Sequence, residues 1–407
     1  MAEALVQLTR GLELLSALPE GVERNRQELD LQVALGKALI AAKGIAVPET
    51  GRAYVRAREL CQQLGDSSQL FTVLRGQWAF HHVRAELRTA RELGEQLLGL
   101  AQRDQDPARL LEAHRALGHN LLWLGEFVAA RAHVQEALAL CDLPARRPDT
   151  VVYGQNSGIA CLSSAAFGLW FLGFPDQALA ASREAVSWAR ELSHPFSLAF
   201  ALSYATYVRR VRRETYDTEA LMALASEQGF AHWSAEASFH QGCVLATQGA
   251  TAAAIAQLRL GLAALRATGC ALCESERLGI LAEVYGKADE PEEGLRVLAT
   301  ALAHADRTKE AYAAAELYRL KGGLLLQQDR TNEPAAEGAY HTAIEISREQ
   351  QARSWELRAA TSLARLWRDQ GKRKQACDLL TPIYGWFTEG FDTPDLKEAA
   401  TLLAELA

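Results

Sequence analysis

The chain has 407 residues, 49% of them hydrophobic and 23% charged, with only 11 prolines. This is the composition of a folded protein rich in long helices, and it excludes disordered, collagen-like and mucin-like classes. With 43 basic against 50 acidic residues the net charge is −7, so no global positive field exists to neutralise phosphates, which speaks against a general nucleic-acid binder. Seven scattered cysteines, and an N-terminus without a basic start followed by an apolar core, point to a reduced, cytoplasmic setting.

In chain order, the first signal is a mismatch. The run Val6-Gln7-Leu8-Thr9-Arg10-Gly11-Leu12 aligns with Ala256-Gln257-Leu258-Arg259-Leu260-Gly261-Leu262, which reads further on as the second helix of a pair. Residues 1–20 are therefore expected to be an orphan second helix, as if the chain were cut from a longer polypeptide. From there an internal repeat takes over. Ala116-Leu117-Gly118 is followed by Leu121, Gly125, Ala130, Val134 and Ala137: small residues where two antiparallel helices approach, and a glycine where the backbone turns between them. The same template recurs at Gly242, Gly249, Ala254, Leu258 and Gly261. It returns at Ala282, Tyr285, Gly294, Leu298 and Ala301, and at Ala364, Trp367, Gly371, Ala376 and Leu380. Weaker copies stand at Gly36, Gly76, Ala166, near Ala205 and at Gly322.

The key positions recur at intervals of roughly 40, a period nearer to armadillo and HEAT repeats than to the usual tetratricopeptide unit, but the small-residue code is that of the tetratricopeptide. The expected fold is all-α, a right-handed α-solenoid of tetratricopeptide-like helix pairs. Residues 21–391 form about nine pairs in one body, and residues 392–407 form a C-terminal capping helix. In that last segment Thr393-Pro394-Asp395 places a capping hydroxyl before a proline at the first helical position, and Leu396, Leu402, Leu403 and Leu406 make one apolar stripe. The uncharged stretch from Val151 to Pro175 approaches the length of a bilayer span, but it carries Gln155, Asn156, Ser157, Ser163 and Ser164, and its small residues follow the repeat; it is read as a packed helix, with no membrane association.

The C-terminal third carries Tyr285-Gly286-Lys287-Ala288, Glu316-Leu317-Tyr318-Arg319-Leu320-Lys321-Gly322, Arg358-Ala359-Ala360-Thr361-Ser362-Leu363-Ala364-Arg365-Leu366-Trp367 and Tyr384-Gly385-Trp386-Phe387-Thr388-Glu389-Gly390-Phe391-Asp392-Thr393. It resembles the C-terminal repeat region of bacterial signalling proteins that join a class III adenylate or guanylate cyclase domain, an AAA-like or STAND-type ATPase and a tetratricopeptide tail. The resemblance implies a regulatory tail whose partners include upstream cyclase and ATPase domains. It brings no catalytic residues here, because the matching segments belong to the repeats alone. Related maltose-responsive activators use a similar solenoid for a sugar-type ligand, which makes a small-molecule sensor the alternative; a third reading is a structural oligomerisation arm built on the uncovered first helix.

The chain's own residues offer no seat for catalysis. The pairs Gly36-Lys37, Gly286-Lys287 and Gly371-Lys372 are followed by Ala38, Ala288 and Arg373, so none completes a phosphate-binding loop, and no dinucleotide fingerprint, nucleophile elbow or paired-histidine zinc helix occurs. No cofactor or metal is expected. Cys270-Ala271-Leu272-Cys273 lacks the further ligands zinc requires. His232, Glu236 and His240 share a helical face, but the ends of the trio lie about 12 Å apart, too far to hold one ion together. Arg209, Arg210, Arg212 and Arg213 make a basic knot that either pairs with carboxylates such as Glu214 and Asp217 or meets an acidic partner.

The inner face of the first helices is the candidate binding surface. Residues one, four and five places after each key position are expected to point inward, which selects Gln77, Phe80 and His81; His119, Leu122 and Trp123; Phe167, Trp170 and Phe171; and Thr206, Arg209 and Arg210. Of these Phe80, His81, His119, Trp123, Phe167, Trp170, Arg209 and Arg210 make an aromatic and imidazole wall beside two arginines, suited to a peptide or small ligand with an apolar body and an acidic group. The same aromatics could instead pack between repeats. The lysine and asparagine clamp of chaperone-binding tetratricopeptide domains is absent at Glu112, Arg115, Ala116 and His119. The expected function is a non-catalytic interaction or sensor module that binds a protein or peptide partner in its groove.

Overall fold

The computed structural model describes residues 2–65, 69–141 and 154–407. Residues 151–153 of the uncharged stretch lie outside the described residues. Described residues form twenty α-helices, one 3₁₀ turn and no strand. The N-terminal helix α1 (Ala2–Ser16) packs against α2 (Val22–Lys43), which turns back into α3 (Pro48–Leu64). The following pairs are α4 (Leu70–Val83) with α5 (Leu87–Asp104), α6 (Pro107–Trp123) with α7 (Phe127–Cys141), α8 (Ser157–Phe171) with α9 (Pro175–Leu192), and α10 (Pro195–Val211) with α11 (Glu219–Gln228). The second half continues with α12 (Ala231–Thr247) and α13 (Thr251–Ala267), α14 (Glu274–Lys287) and α15 (Pro291–Thr308), α16 (Ala314–Gln328) and α17 (Glu333–Glu349), and α18 (Arg353–Asp369) and α19 (Arg373–Tyr384). It closes on α20 (Pro394–Leu406). The fold is an all-α solenoid of tetratricopeptide-like pairs.

The small-residue code acts through close backbone approach. At Gly242 an added Cβ would stand 2.8 Å from Leu258 Cγ and 2.9 Å from its backbone nitrogen, so α12 and α13 can touch only because no side chain intervenes. The turn glycines Gly125, Gly173, Gly249 and Gly371 all lie at φ between 76° and 88°. Other pairs hold the same left-handed turn without glycine: Ala85, Arg213 and Asp289 sit at φ of 57°, 58° and 62°. The turn is thus a property of the repeat, and those pairs carry about 1 kcal/mol of backbone strain each.

At the C-terminus Pro394 opens α20, but the Thr393 hydroxyl does not cap it. It donates back to the Gly390 carbonyl at 2.6 Å instead, because the chain reaches the helix through a turn at Gly390. Leu396, Leu402 and Leu406 are buried against α18 and α19, with Leu403 beside them.

The solenoid is wound so tightly that one superhelical turn rests on the next. The loop after each first helix in pairs two to five meets the start of a first helix, or the C-terminal segment, five pairs later. Val83, the last residue of α4, accepts hydrogen bonds from the Ala271 and Leu272 amides at 3.0 and 3.2 Å. Trp123, the last of α6, accepts from those of Ala311 and Tyr312 at 2.8 and 3.3 Å. The Trp170 carbonyl takes the Ser354 hydroxyl at 2.5 Å, 184 residues away, and the Val211 carbonyl takes the Arg358 guanidinium at 2.5 Å. Room for this docking comes from Gly173, where a Cβ would fall 2.5 Å from the Trp386 ring. The last contacts are ionic. Asp176 accepts from the Gly390 amide, Glu389 accepts from the Asp176 and Gln177 amides at the start of α9, and Asp395 pairs with both Arg213 and Arg358.

Two substitutions separate repeat geometry from side-chain chemistry. Gly242→Val overpacks the α12–α13 contact and is expected to cost ~1–3 kcal/mol, whereas Asp289→Gly relieves a left-handed turn at an exposed position and is expected to add up to about 1 kcal/mol. Thermal melts of the two variants, moving in opposite directions from wild type, check the assignment.

Candidate functional site

The inner faces of α4, α6, α8, α10, α12 and α14 converge along the superhelix axis, and the space between them is filled by side chains. The apolar part is a single cluster drawn from both turns. Trp123 stacks edge-on to Tyr312 with ring centres 4.8 Å apart, Trp170 does the same with Trp355 at 4.7 Å, and Phe127 lies flat on Phe171 at 4.4 Å. The Trp355 indole donates to the Tyr312 carbonyl at 3.0 Å.

Beside it lies a buried polar network. Glu112, with no exposed surface, accepts from Arg75, from Arg115 Nε and Nη2 at 2.8 and 2.6 Å, and from the Ser157 hydroxyl at 2.8 Å. Both guanidiniums lie over the Trp78 ring, 4.9 and 5.0 Å from its centre. Burial works to raise the Glu112 carboxyl, but Arg115 and Arg75 outweigh it and hold it at about 2. Next in line, His82 stacks on Trp78 at 4.8 Å and faces His119 at 4.9 Å. Asn120 Nδ2 donates to the Leu87 carbonyl, which leaves Asn120 Oδ1 as the acceptor for His82 Nδ1 at 3.1 Å; a neutral His82 therefore carries its proton on Nδ1. Burial drives His82 down to about 3 against the pull of that hydrogen bond, and burial, reinforced by His82, takes His119 well below the usual imidazole range. His119 in turn contacts the Ser164 hydroxyl at 2.9 Å and the Tyr204 hydroxyl at 3.3 Å.

A second set of buried ions joins the turns. Glu276 on α14 accepts from Tyr207 and Arg210 of α10, at 3.0 and 2.8 Å, and from Tyr312 at 3.0 Å. Glu236 pairs with Arg277 and stands 3.8 and 3.9 Å from His232 and His240. The trio on one helical face thus serves an ion pair, and among the described residues no group of three histidines, cysteines or carboxylates is placed to hold a metal. Cys270 and Cys273 are free thiols, Cys273 occupying the residue before α14 at φ 65°. Glu310 closes that helix start: its carboxylate accepts from the Cys273 amide at 2.5 Å and from the Ser275 hydroxyl at 2.9 Å, while burial pushes its carboxyl up to about 7.

The structure divides the eight expected groove residues. Trp123, Phe167 and Trp170 are 3%, 1% and 2% exposed and belong to the core between turns, and His119 is buried in the polar network. Trp123, Phe167 and Trp170 line no open groove in this structure, because Tyr312 and Trp355 of the second superhelical turn cover them, while His119 is enclosed within its own turn by Trp78, His82, Ser164 and Tyr204. Arg210 is engaged by Glu276. Phe80 lies half-buried under the Arg84 guanidinium, and His81 contacts Glu86 at 2.5 Å. Only Arg209 is exposed. Of the remaining basic knot, Arg212 pairs with Glu214 and Asp176, and Arg213 with Asp395 and Glu398, so local and distant carboxylates share it. The covering residues Tyr312, Trp355 and Glu276 escaped the sequence reading, which placed inward-facing positions only in the first half. The Glu112–Arg115 pair, three residues apart on α6, was a local sign of buried polarity, as were His119 and Asn120 one turn further on.

No protein-family model matches the chain. An uncharacterized protein of Rhizobium meliloti (strain 1021) is 23% identical over 373 residues, which is 90% of this chain and 36% of that protein, so the chain spans about a third of its relative's length. Among solved structures the chain is similar to a Rap protein complexed with competence and sporulation factor (TM-score 0.43, 10% identity, all of both chains). It is similar also to aspartyl phosphate phosphatase F from Bacillus subtilis (0.44, 10%, covering 90% of this chain and 94% of that one) and to yeast Tom70 (0.32, 12%, 94% and 96%). No described helix is long and apolar enough to cross a membrane.

The buried imidazoles set an acid limit. His82 and His119 are neutral in the fold and bind protons only when it opens, so the stability they allow is present above 6.5 and is lost as pH falls from there towards 3. Glu310 acts in the opposite sense between 4.5 and 7, so the contribution is read by difference. Melting temperature is expected to fall less between pH 7 and pH 4.5 in His82→Gln than in wild type; parallel falls would contradict a neutral buried His82.

Proposed function

We propose that the chain is a non-catalytic tetratricopeptide-type interaction and sensor module, working in the cytoplasm as the regulatory tail of a cyclase and ATPase signalling polypeptide. A protein or peptide partner is taken up inside the superhelix, with neither nucleic acid nor membrane involved. The observation that supports it most is the contact between turns. Because the aromatic inner face is covered by Tyr312 and Trp355, a ligand can reach it only if the two turns part. Binding is then thermodynamically linked to the spacing of the solenoid's ends, and a ligand that prefers the parted form shifts the population towards it. Such linkage gives a regulatory tail something to transmit. Arg209 stays exposed and Phe80 and His81 half-exposed in the closed form, offering the first contacts, while Trp123, Phe167, Trp170, His119 and Arg210 become available on opening. The resemblance of the C-terminal third is what supports the cyclase and ATPase context, and the Rhizobium meliloti relative is longer than the part this chain matches.

The test is made on the polypeptide encoded by the native reading frame. That frame is expected to continue upstream of Met1 into nucleotide-cyclase or ATPase sequence. In its product Trp355→Ala should change nucleotide turnover by several-fold while leaving the KM for the nucleotide unaltered. A frame that starts at Met1, or turnover indifferent to the contact between turns, would overturn the proposal.

A further inference from the structure

The outer surface carries a cleft that the contact between turns does not use. It lies between the second helices α13 and α15, above α14, with a volume of about 310 Å³. Its floor is apolar and buried: Leu262 from α13, Leu278 and Leu281 from α14, and Val297 from α15. Its rim is cationic. Arg259, Arg266 and Arg296 have side chains 58%, 52% and 67% exposed. Two carboxylates hold them from the edges, Glu293 contacting Arg259 at 3.6 Å and Arg296 at 2.5 Å, and Glu274 contacting Arg266 at 2.5 Å. Three cations against two more deeply set acids leave a local positive excess on a chain whose net charge is −7.

We propose that this α13–α15 cleft docks an acidic peptide segment of a partner protein, with one apolar side chain of the segment on the leucine floor and its flanking carboxylates on the three arginines. Charge complementarity selects the partner, since an acidic segment is repelled by the rest of the surface and attracted here. The spacing favours a run of carboxylates over a single anion: Arg259 and Arg266 are two helical turns apart, about 10 Å along α13. Glu274 and Glu293 take the Nε–Nη2 edges of Arg266 and Arg296, so an incoming carboxylate meets the outer Nη1 groups, and the cleft's volume is at the small end for ligand sites, enough for an anchoring side chain. The inference rests on the reading of the chain as an interaction module, but it concerns a surface separate from the superhelix interior.

The probe is a fluorescein-labelled hexapeptide, Glu-Glu-Leu-Phe-Glu-Glu, titrated by anisotropy with the full chain at about 50 mM salt, where surface charges are weakly screened. Saturable binding is expected. Arg259→Glu with Arg296→Glu should weaken it by at least about tenfold, and the milder Arg259→Ala with Arg296→Ala by less, all with unchanged helical circular dichroism. Arg368→Glu, at the far end of the chain, should leave it unaltered, and the lysine analogue of the peptide should not bind. Absent binding, indifference to Arg259 and Arg296, or displacement by millimolar phosphate would overturn the proposal. So would a concentration-dependent dimer of the chain abolished by Arg259→Glu, because the cleft would then belong to a second copy. The loss of this site would leave the turnover test with Trp355→Ala standing.

Discussion

Every helix ends in carbonyl groups that its own backbone cannot satisfy, and in this chain four first helices satisfy theirs across a superhelical turn. Val83, Trp123 and Trp170 take donors from chain that lies five pairs further on, and Val211 takes one from four pairs further on. The rest of the architecture follows from that requirement. The donors are amides and side chains at the starts of later first helices, so the turns must stack closely. Stacked turns bury the inner aromatics, and the buried inner face must then neutralise its own charges. Each such hydrogen bond is worth about 1 kcal/mol net; the larger effect is that a buried carbonyl left unpaired would cost more than a paired one gains.

The polar network inside the solenoid is the consequence. Glu112 with Arg75 and Arg115, Glu236 with Arg277, and Glu276 with Arg210 place compensated ions inside the solenoid. Buried ion pairs of this kind add little to stability but penalise any misregistered packing, because one partner would be stranded. In a solenoid, where neighbouring repeats resemble one another, that penalty disfavours slipped docking of one pair on another.

The all-helical class and the repeat were legible in the sequence because their determinants are local. Gly242, Leu258 and Gly261 lie within one pair, and their sizes alone report how closely two helices approach. The closure of the groove was not legible. Trp170 and Trp355 meet across a superhelical turn, and nothing in the spacing of either reveals a superhelix that returns on itself after five pairs. The aromatic wall was visible as composition, while its use depended on curvature, which is the sum of many small rotations between repeats. Ala85 and Arg213 show the same limit on a smaller scale: the left-handed turn they occupy is dictated by the repeat, and their identities point away from it. At Thr393 the residue type named a helix cap, and the Gly390 turn redirected the hydroxyl.

The stacked turns are the feature on which the sensor reading depends, and small-angle X-ray scattering of the whole chain in solution measures them directly. Wild type is expected to give the scattering curve of the closed superhelix, and Trp170→Ala combined with Trp355→Ala is expected to lengthen the maximum dimension while helical circular dichroism is retained. An extended wild-type curve, or one that the two substitutions leave unchanged, would contradict closure through this contact.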